Sequence, residues 1–130
     1  MIVVDTSALM AILKREKEAE VCIEVLAGEP DVLISAGTAA EALIVSSLSN
    51  IGEEMAGLFD RFDCEIIAVT AAALRGVAEA YARWGKGRDR ARLNFGDCFA
   101  YALAKERDCA LLFVGENFAK TDVSSALPKS

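Results

Sequence analysis

The sequence predicts an α/β fold of three α/β/α layers, with a small parallel sheet of four to five strands covered by helices on both faces. Three observations carry that prediction. Short β-branched runs alternate along the chain with amphipathic helical stripes, an order that right-handed crossovers turn into a parallel sheet. Aromatic residues make up only 7% of the chain while Ala, Val, Leu and Ile are abundant, a mix suited to helices packed on a buried sheet rather than to a β-sandwich. With 130 residues, 54% of them apolar, the chain is large enough for one core and too small for two, so residues 1–130 read as a single domain.

Ile2 to Val4 is a β-branched run and reads as a buried strand. Asp5-Thr6-Ser7 follows, and the helix-forming stretch Ala8 to Leu13 begins behind these capping side chains. Ala19, Cys22, Ile23 and Leu26 form the apolar stripe of a second helix, which Gly28 to Pro30 ends. Asp31 to Ser35 reads as the second strand, and Thr38-Ala-Ala-Glu41 opens a helix that runs to about Leu48. Met55, Leu58, Phe59 and Phe62 mark a further helix, and Glu65 to Val69 the third strand. Leu74, Val77, Tyr81 and Trp84 stripe the next helix, which stops at Gly85. A polar, basic loop fills the interval to Gly96. Helical pattern resumes from about Asp97 to Arg107, Ala110 to Val114 forms the fourth strand, and the remainder reads as a turn or tail. In a sheet of this kind ligands bind beyond the C-terminal ends of the strands.

The composition excludes whole classes of chemistry. There is no histidine, which removes Ser-His-Asp and Cys-His nucleophile systems, imidazole bases and zinc sites that need an imidazole. Cys22, Cys64, Cys98 and Cys109 include no Cys-x-x-Cys pair and read as small buried hydrophobes of a reducing compartment. No signal peptide or membrane-length apolar run is present, so the expected location is the cytoplasm, with no membrane partner. What remains for chemistry is carboxylates, hydroxyls, backbone amides, Lys and Arg.

Among the carboxylates, Asp5 stands directly after a buried strand, where it either binds something or caps the following helix. Glu41 closes a Thr38-x-x-Glu41 capping box, which on sequence physics alone favours a structural role. Asn94-x-x-Asp97 has the related form of a cap followed by a first-turn acid. Glu116, two residues past the fourth strand, and Asp122 are candidates to join the group. Several carboxylates gathered without a cation repel one another, and an all-oxygen ligand set selects a hard divalent ion, Mg2+ or Mn2+.

Four segments together resemble the PIN-domain ribonucleases, specifically the VapC-like toxins of prokaryotic toxin–antitoxin pairs. They are Ile2-Val-Val-Asp5-Thr-Ser-Ala-Leu9, Ser35 through Glu41-Ala-Leu, Arg92 to Ala104 with Asn94-Phe-Gly-Asp97 inside it, and Leu111 to Phe118 with Thr121-Asp122. The resemblance implies a PIN-like fold and a Mg2+- or Mn2+-dependent endoribonuclease whose acidic pocket is carried by Asp5, Glu41 and Asp97, and it reverses the preference for a merely structural Glu41. Asp5 and Asp97 are the implied direct ligands, with Glu41 acting through water. It further implies a fourth acid after the last strand. Here the turn reads Gly115-Glu116-Asn117-Phe118, with Asn117 where the family often has Asp, so Asp122, ahead of Glu116, is the expected substitute. Ser7 or Thr6 can hydrogen-bond a ligand or phosphate at the helix start, although a plain cap is the favoured reading for either. A homodimer, a cognate VapB-like antitoxin whose tail blocks the pocket, and single-stranded or structured RNA as substrate complete what the resemblance implies.

Net charge is -6, which taken whole argues against a nucleic-acid partner. Its distribution does not. Met1 to Glu65 holds 4 basic and 13 acidic residues, whereas Ile66 to Ser130 holds 10 basic and 7 acidic. Arg83, Lys86, Arg88, Arg90 and Arg92 fall in one short segment leading into the helix of Asp97, where Arg88, Arg90 and Arg92 can hold phosphates flanking a cleavage point. Tyr81 and Trp84 read as core or dimer packing. The alternative function is a catalytically inactive RNA- or protein-binding module that uses the basic loop without a metal.

Overall fold

A computed structural model describes residues 1–129. Four strands, β1 (Ile2–Val4), β2 (Val32–Ser35), β3 (Glu65–Ile67) and β4 (Ala110–Leu112), form one parallel sheet in the order β3-β2-β1-β4. Four strands fall within the expected four to five, and beyond them Ser125 makes a single bridge beside Leu111 on the outer edge of β4. Among the described residues six helices surround the sheet: α1 (Thr6–Leu13), α2 (Ala19–Gly28), α3 (Ala36–Leu48), α4 (Gly52–Arg61), α5 (Ala71–Trp84) and α6 (Phe95–Glu106). The element order matches the sequence reading, with shorter third and fourth strands.

Side-chain alternation along the strands divides the interior into two cores. Ile2, Val4, Val32, Ile34 and Leu112 face one side and pack against Leu9 and Ile12 of α1, Cys22 and Leu26 of α2, and Met55, Leu58 and Phe59 of α4. Val3, Leu33 and Leu111 face the other and pack against Val77 and Ala80 of α5 and Tyr101 and Leu103 of α6. The three layers are thus a direct product of period-two strands meeting period-3.6 helices. β1 is buried along its whole length and lies at the centre of the sheet. β3 is an exposed edge, with Ile66 more than half accessible.

One local expectation fails. α3 begins at Ala36, not Thr38, because Ser35 is the cap, its Oγ accepting from the Gly37 amide at 3.2 Å. Thr38 is therefore an interior helical residue and Glu41 belongs to the second turn, so the two form no capping box. The Asn94/Asp97 box, by contrast, is present in full at the start of α6.

Candidate active site

Asp5 follows β1 immediately, and its amide continues the sheet by donating to the Leu112 carbonyl at 3.0 Å. That places the side chain at the C-terminal rim, almost entirely buried at 2% exposure. Oδ2 caps α1 by accepting from the Ser7 amide at 3.0 Å. Oδ1 is buried and has no hydrogen-bond partner among the described residues, a costly arrangement for a charged oxygen. Burial pushes the Asp5 carboxyl up to about 7. The Ser7 hydrogen bonds oppose that rise, while the negative charges of Asp97 and Glu41 add to it.

Glu41 is turned toward the same place from α3. The buried Thr6 hydroxyl donates to Glu41 Oε1 at 2.8 Å, linking the first turn of α1 to the second turn of α3. On the other side α6 arrives with a glycine: a Cβ at Gly96 would overlap the Glu41 carboxylate. Gly37 makes a matching approach to the ring of Phe99. Glycine at these two positions lets the starts of α3 and α6 meet without side chains between them.

Asp97, third residue of α6, accepts from the Asn94 amide through Oδ2 at 3.0 Å, while its own amide donates to Asn94 Oδ1 at 2.8 Å. Its carboxyl is also raised, first by burial and then by the charge of Glu41, against the lowering effect of the Asn94 hydrogen bond. Three acids from three separate elements therefore repel one another across the rim. Among the described residues, no three His, Cys, Asp or Glu side chains converge tightly enough to form a ready-made ligand cage. Two raised carboxylates and an orphaned buried oxygen nevertheless fit a hard divalent ion that keeps several waters in its coordination sphere.

The remaining expected residues are placed differently. Glu116 is exposed in the turn after β4. It lies two residues beyond Val114, whose amide donates to Ser7 Oγ at 3.0 Å, so this turn is tied to the same rim. The Ser7 oxygen considered for ligand or phosphate thus accepts from the backbone. Asp122 has partners of its own. A short 3-10 turn, Phe118–Lys120, carries the chain back along α6, and Asp122 lies beside Ala104, Lys105 and the start of β4, away from the rim. Tyr101 Oη donates to its Oδ1, and Lys105 and Arg83 approach its Oδ2 at 3.3 and 3.6 Å. The Tyr101 bond comes first among the causes that hold Asp122 below the usual carboxylate range.

In the basic loop, Lys86 and Leu93 pair through their backbones, and Asp89 turns inward to accept from the Ala91 amide at 2.8 Å. Arg88, Arg90 and Arg92 all remain exposed, the last with a left-handed φ of 55°. Among the described residues these three form no ion pairs. Trp84 packs edge-on against Tyr101 and donates to its hydroxyl at 2.9 Å, as expected of a core residue. Sequence reasoning missed the Thr6–Glu41 bond and the role of Gly96, whose only signals are the Asp-Thr and Gly-Asp pairs themselves.

Comparison with known proteins gives this geometry a family. The PIN domain profile matches residues 2–124. Ribonuclease VapC of Mycolicibacterium smegmatis is 43% identical over 127 residues, covering 95% of this chain and 98% of that protein. Among solved structures, Mycobacterium tuberculosis VapC20, described as a sarcin-ricin loop cleaving toxin, superimposes with a TM-score of 0.77 at 18% identity, covering 98% of this chain and 100% of the other. A toxin–antitoxin complex from Klebsiella pneumoniae gives 0.71 at 17% identity, covering 94% and 93%. The two structures speak for the fold, and the profile and the mycobacterial relative for descent: the chain belongs to the PIN-domain family, among its VapC ribonucleases.

Proposed function

We propose that the chain is the toxin of a toxin–antitoxin pair, an endoribonuclease that hydrolyses RNA phosphodiester bonds with water in a Mg2+- or Mn2+-dependent reaction. The observation that carries this reading is the buried, unpartnered Oδ1 of Asp5 facing two further acids at the strand ends. Asp5 and Asp97 would hold the ion, which when bound neutralises the acids and polarises the scissile phosphate and a neighbouring water. Glu41, fixed by Thr6, orients the attacking water and takes its proton. Glu116 is the nearer of the two candidate fourth acids along the chain to this rim, whereas Asp122 is paired with Tyr101, Lys105 and Arg83. Ser7 anchors the turn after β4 to α1. Arg88, Arg90 and Arg92 supply exposed positive charge for phosphates flanking the cut.

The same reading includes a VapB-like antitoxin, in keeping with the toxin–antitoxin complex among its structural neighbours. It includes a homodimer and a cytoplasmic location, the latter in keeping with four free cysteines. Among the described residues no helix is long and apolar enough to cross a membrane.

The test is cleavage of single-stranded RNA by the purified chain with Mg2+, with Mn2+ and with EDTA. Products with 5'-phosphate and 3'-hydroxyl ends, formed only with a divalent ion, are expected. Products ending in a 2',3'-cyclic phosphate would rule out attack by water, and RNA binding without cleavage under any ion would return the chain to the inactive-module reading.

A further inference from the structure

Beside Glu41, and sharing that residue and Gly96 with the acidic rim, lies an open cleft of about 370 Å³ that the hydrolytic chemistry does not use. Ala40, Ile44, Phe95 and Phe99 line it, and its surface is almost wholly apolar. Phe95, the first residue of α6, is 71% exposed, and Ile44 is 63% exposed. The Phe95 and Phe99 rings meet at 5.0 Å and 80°, forming a right-angled corner. Phe99 is seated against Gly37, whereas Phe95 projects into solvent.

A ring this exposed at the edge of a charged site calls for a flat apolar ligand. RNA brings one: in a nucleotide strand each base hangs one sugar away from its phosphate, and unpaired bases stack on aromatic side chains. A strand with its scissile phosphate at Asp5, Glu41 and Asp97 brings a neighbouring base into reach of the cleft, because Glu41 borders both. The geometry points to this cleft as the seat of one unpaired nucleobase flanking the cut, stacked on Phe95. This inference rests on the ribonuclease reading and narrows its substrate to RNA that is single-stranded at the cleavage point. Because the walls offer almost no polar surface, they select for an unpaired base more than for its identity.

The test pairs Phe95→Ala and Phe95→Leu with a short single-stranded RNA spanning a mapped cut, intact or carrying one abasic residue beside the cut. Both variants are expected to raise KM about tenfold with kcat within about twofold of wild type. One abasic position should cost the wild type a similar factor and cost Phe95→Leu nothing further, the signature of a shared interaction. In an Asp97→Asn background, 2-aminopurine at that position should be quenched on binding, and Phe95→Leu should abolish the quenching. Leucine keeps the site apolar, so a variant that folds, cleaves with wild-type KM and ignores the abasic residue overturns the base seat while leaving the ribonuclease intact. Loss of self-association in sedimentation by Phe95→Ala, with KM unchanged, overturns it in favour of a second copy of the chain. Quenching that depends on Phe95, when the protein with Asp97 intact cleaves no RNA under any divalent ion, sustains the seat and overturns the hydrolytic reading instead.

Discussion

Asp5 and Asp122 are both close to the α6 layer, at different ends of it, and the fold treats them in opposite ways. Asp122 has a phenol and two cations around a partly exposed carboxylate, and these partners hold its carboxyl low. Asp5 is buried, has one backbone donor, faces two more acids and is pushed up to about 7. A charge that the chain neutralises with its own side chains is doing structural duty. One that the chain buries and leaves uncompensated is waiting for something from outside, and the contrast separates site from scaffold without reference to any relative.

The largest test of that contrast is Asp97→Asn. Asparagine keeps an oxygen for the Asn94 amide, so the circular dichroism spectrum should be unchanged while cleavage falls by more than the roughly 10–100-fold typical of losing an outer-sphere partner. Retention of near wild-type activity would show that the rim acids are not the reactive group. Next is Thr6→Val, which removes the donor to Glu41 without changing side-chain shape. A drop in kcat of about 10–100-fold with little change in KM is expected, and Thr6→Ser should restore most of it. Equal activity of the valine variant would remove Thr6 from the mechanism.

A third effect is on stability and follows from proton linkage. The Asp5 carboxyl ionises near 3.8 in the unfolded chain and about 7 in the folded one. The ion-free fold is therefore most stable, on this account, below about 3.8, loses stability as pH rises through that window, and carries the whole deficit above about 7, on the order of 4 kcal/mol. Mg2+ or Mn2+ should raise the melting temperature more at pH 8 than at pH 5, where protons compete for the same oxygen. Asp5→Asn should stabilise the ion-free protein at pH 8 by roughly 1–3 kcal/mol, part of the gain being offset by a buried amide, while abolishing the ion-dependent shift. An ion effect independent of pH would break the link between this carboxylate and the metal. The smallest effect belongs to the other acid. Asp122→Asn should lower stability by about 1 kcal/mol or less and leave kcat and KM alone, since its pairs are solvent-exposed. A loss of cleavage there would return Asp122 to the site.

How much of this was legible follows from what kind of information each residue carries. Asp5 and Asp97 are marked locally, one by the strand that ends before it and the other by a cap three residues upstream. Glu41 carries no such mark, because its partner Thr6 is 35 positions away and its neighbour Gly96 approaches from the far side of the sheet. Sequence physics alone favours a structural role for it, and only the family resemblance turns it toward the site. Asp122 is engaged elsewhere for a complementary reason: counting residues past a strand says nothing about the direction the chain then takes, and beyond the 3-10 turn Asp122 meets Tyr101 and Lys105 of α6. The layers themselves are readable from alternation and helical stripes, whereas the cap of α3 lies three residues earlier than expected because Ser35 takes the place of Thr38.

The three rim acids share one further property. Each is tied to the chain by a single oxygen, Asp5 through Ser7, Glu41 through Thr6 and Asp97 through Asn94. Each tether fixes one oxygen of its carboxylate to the backbone or side chain of the fold. On the proposed reading, a molecule held in reserve without its ion would need only the last movement of side chains onto the ion to become active. Stripping the ion would switch it off without dismantling it. Such a catalyst can be stored empty, and reloading it needs no help from folding.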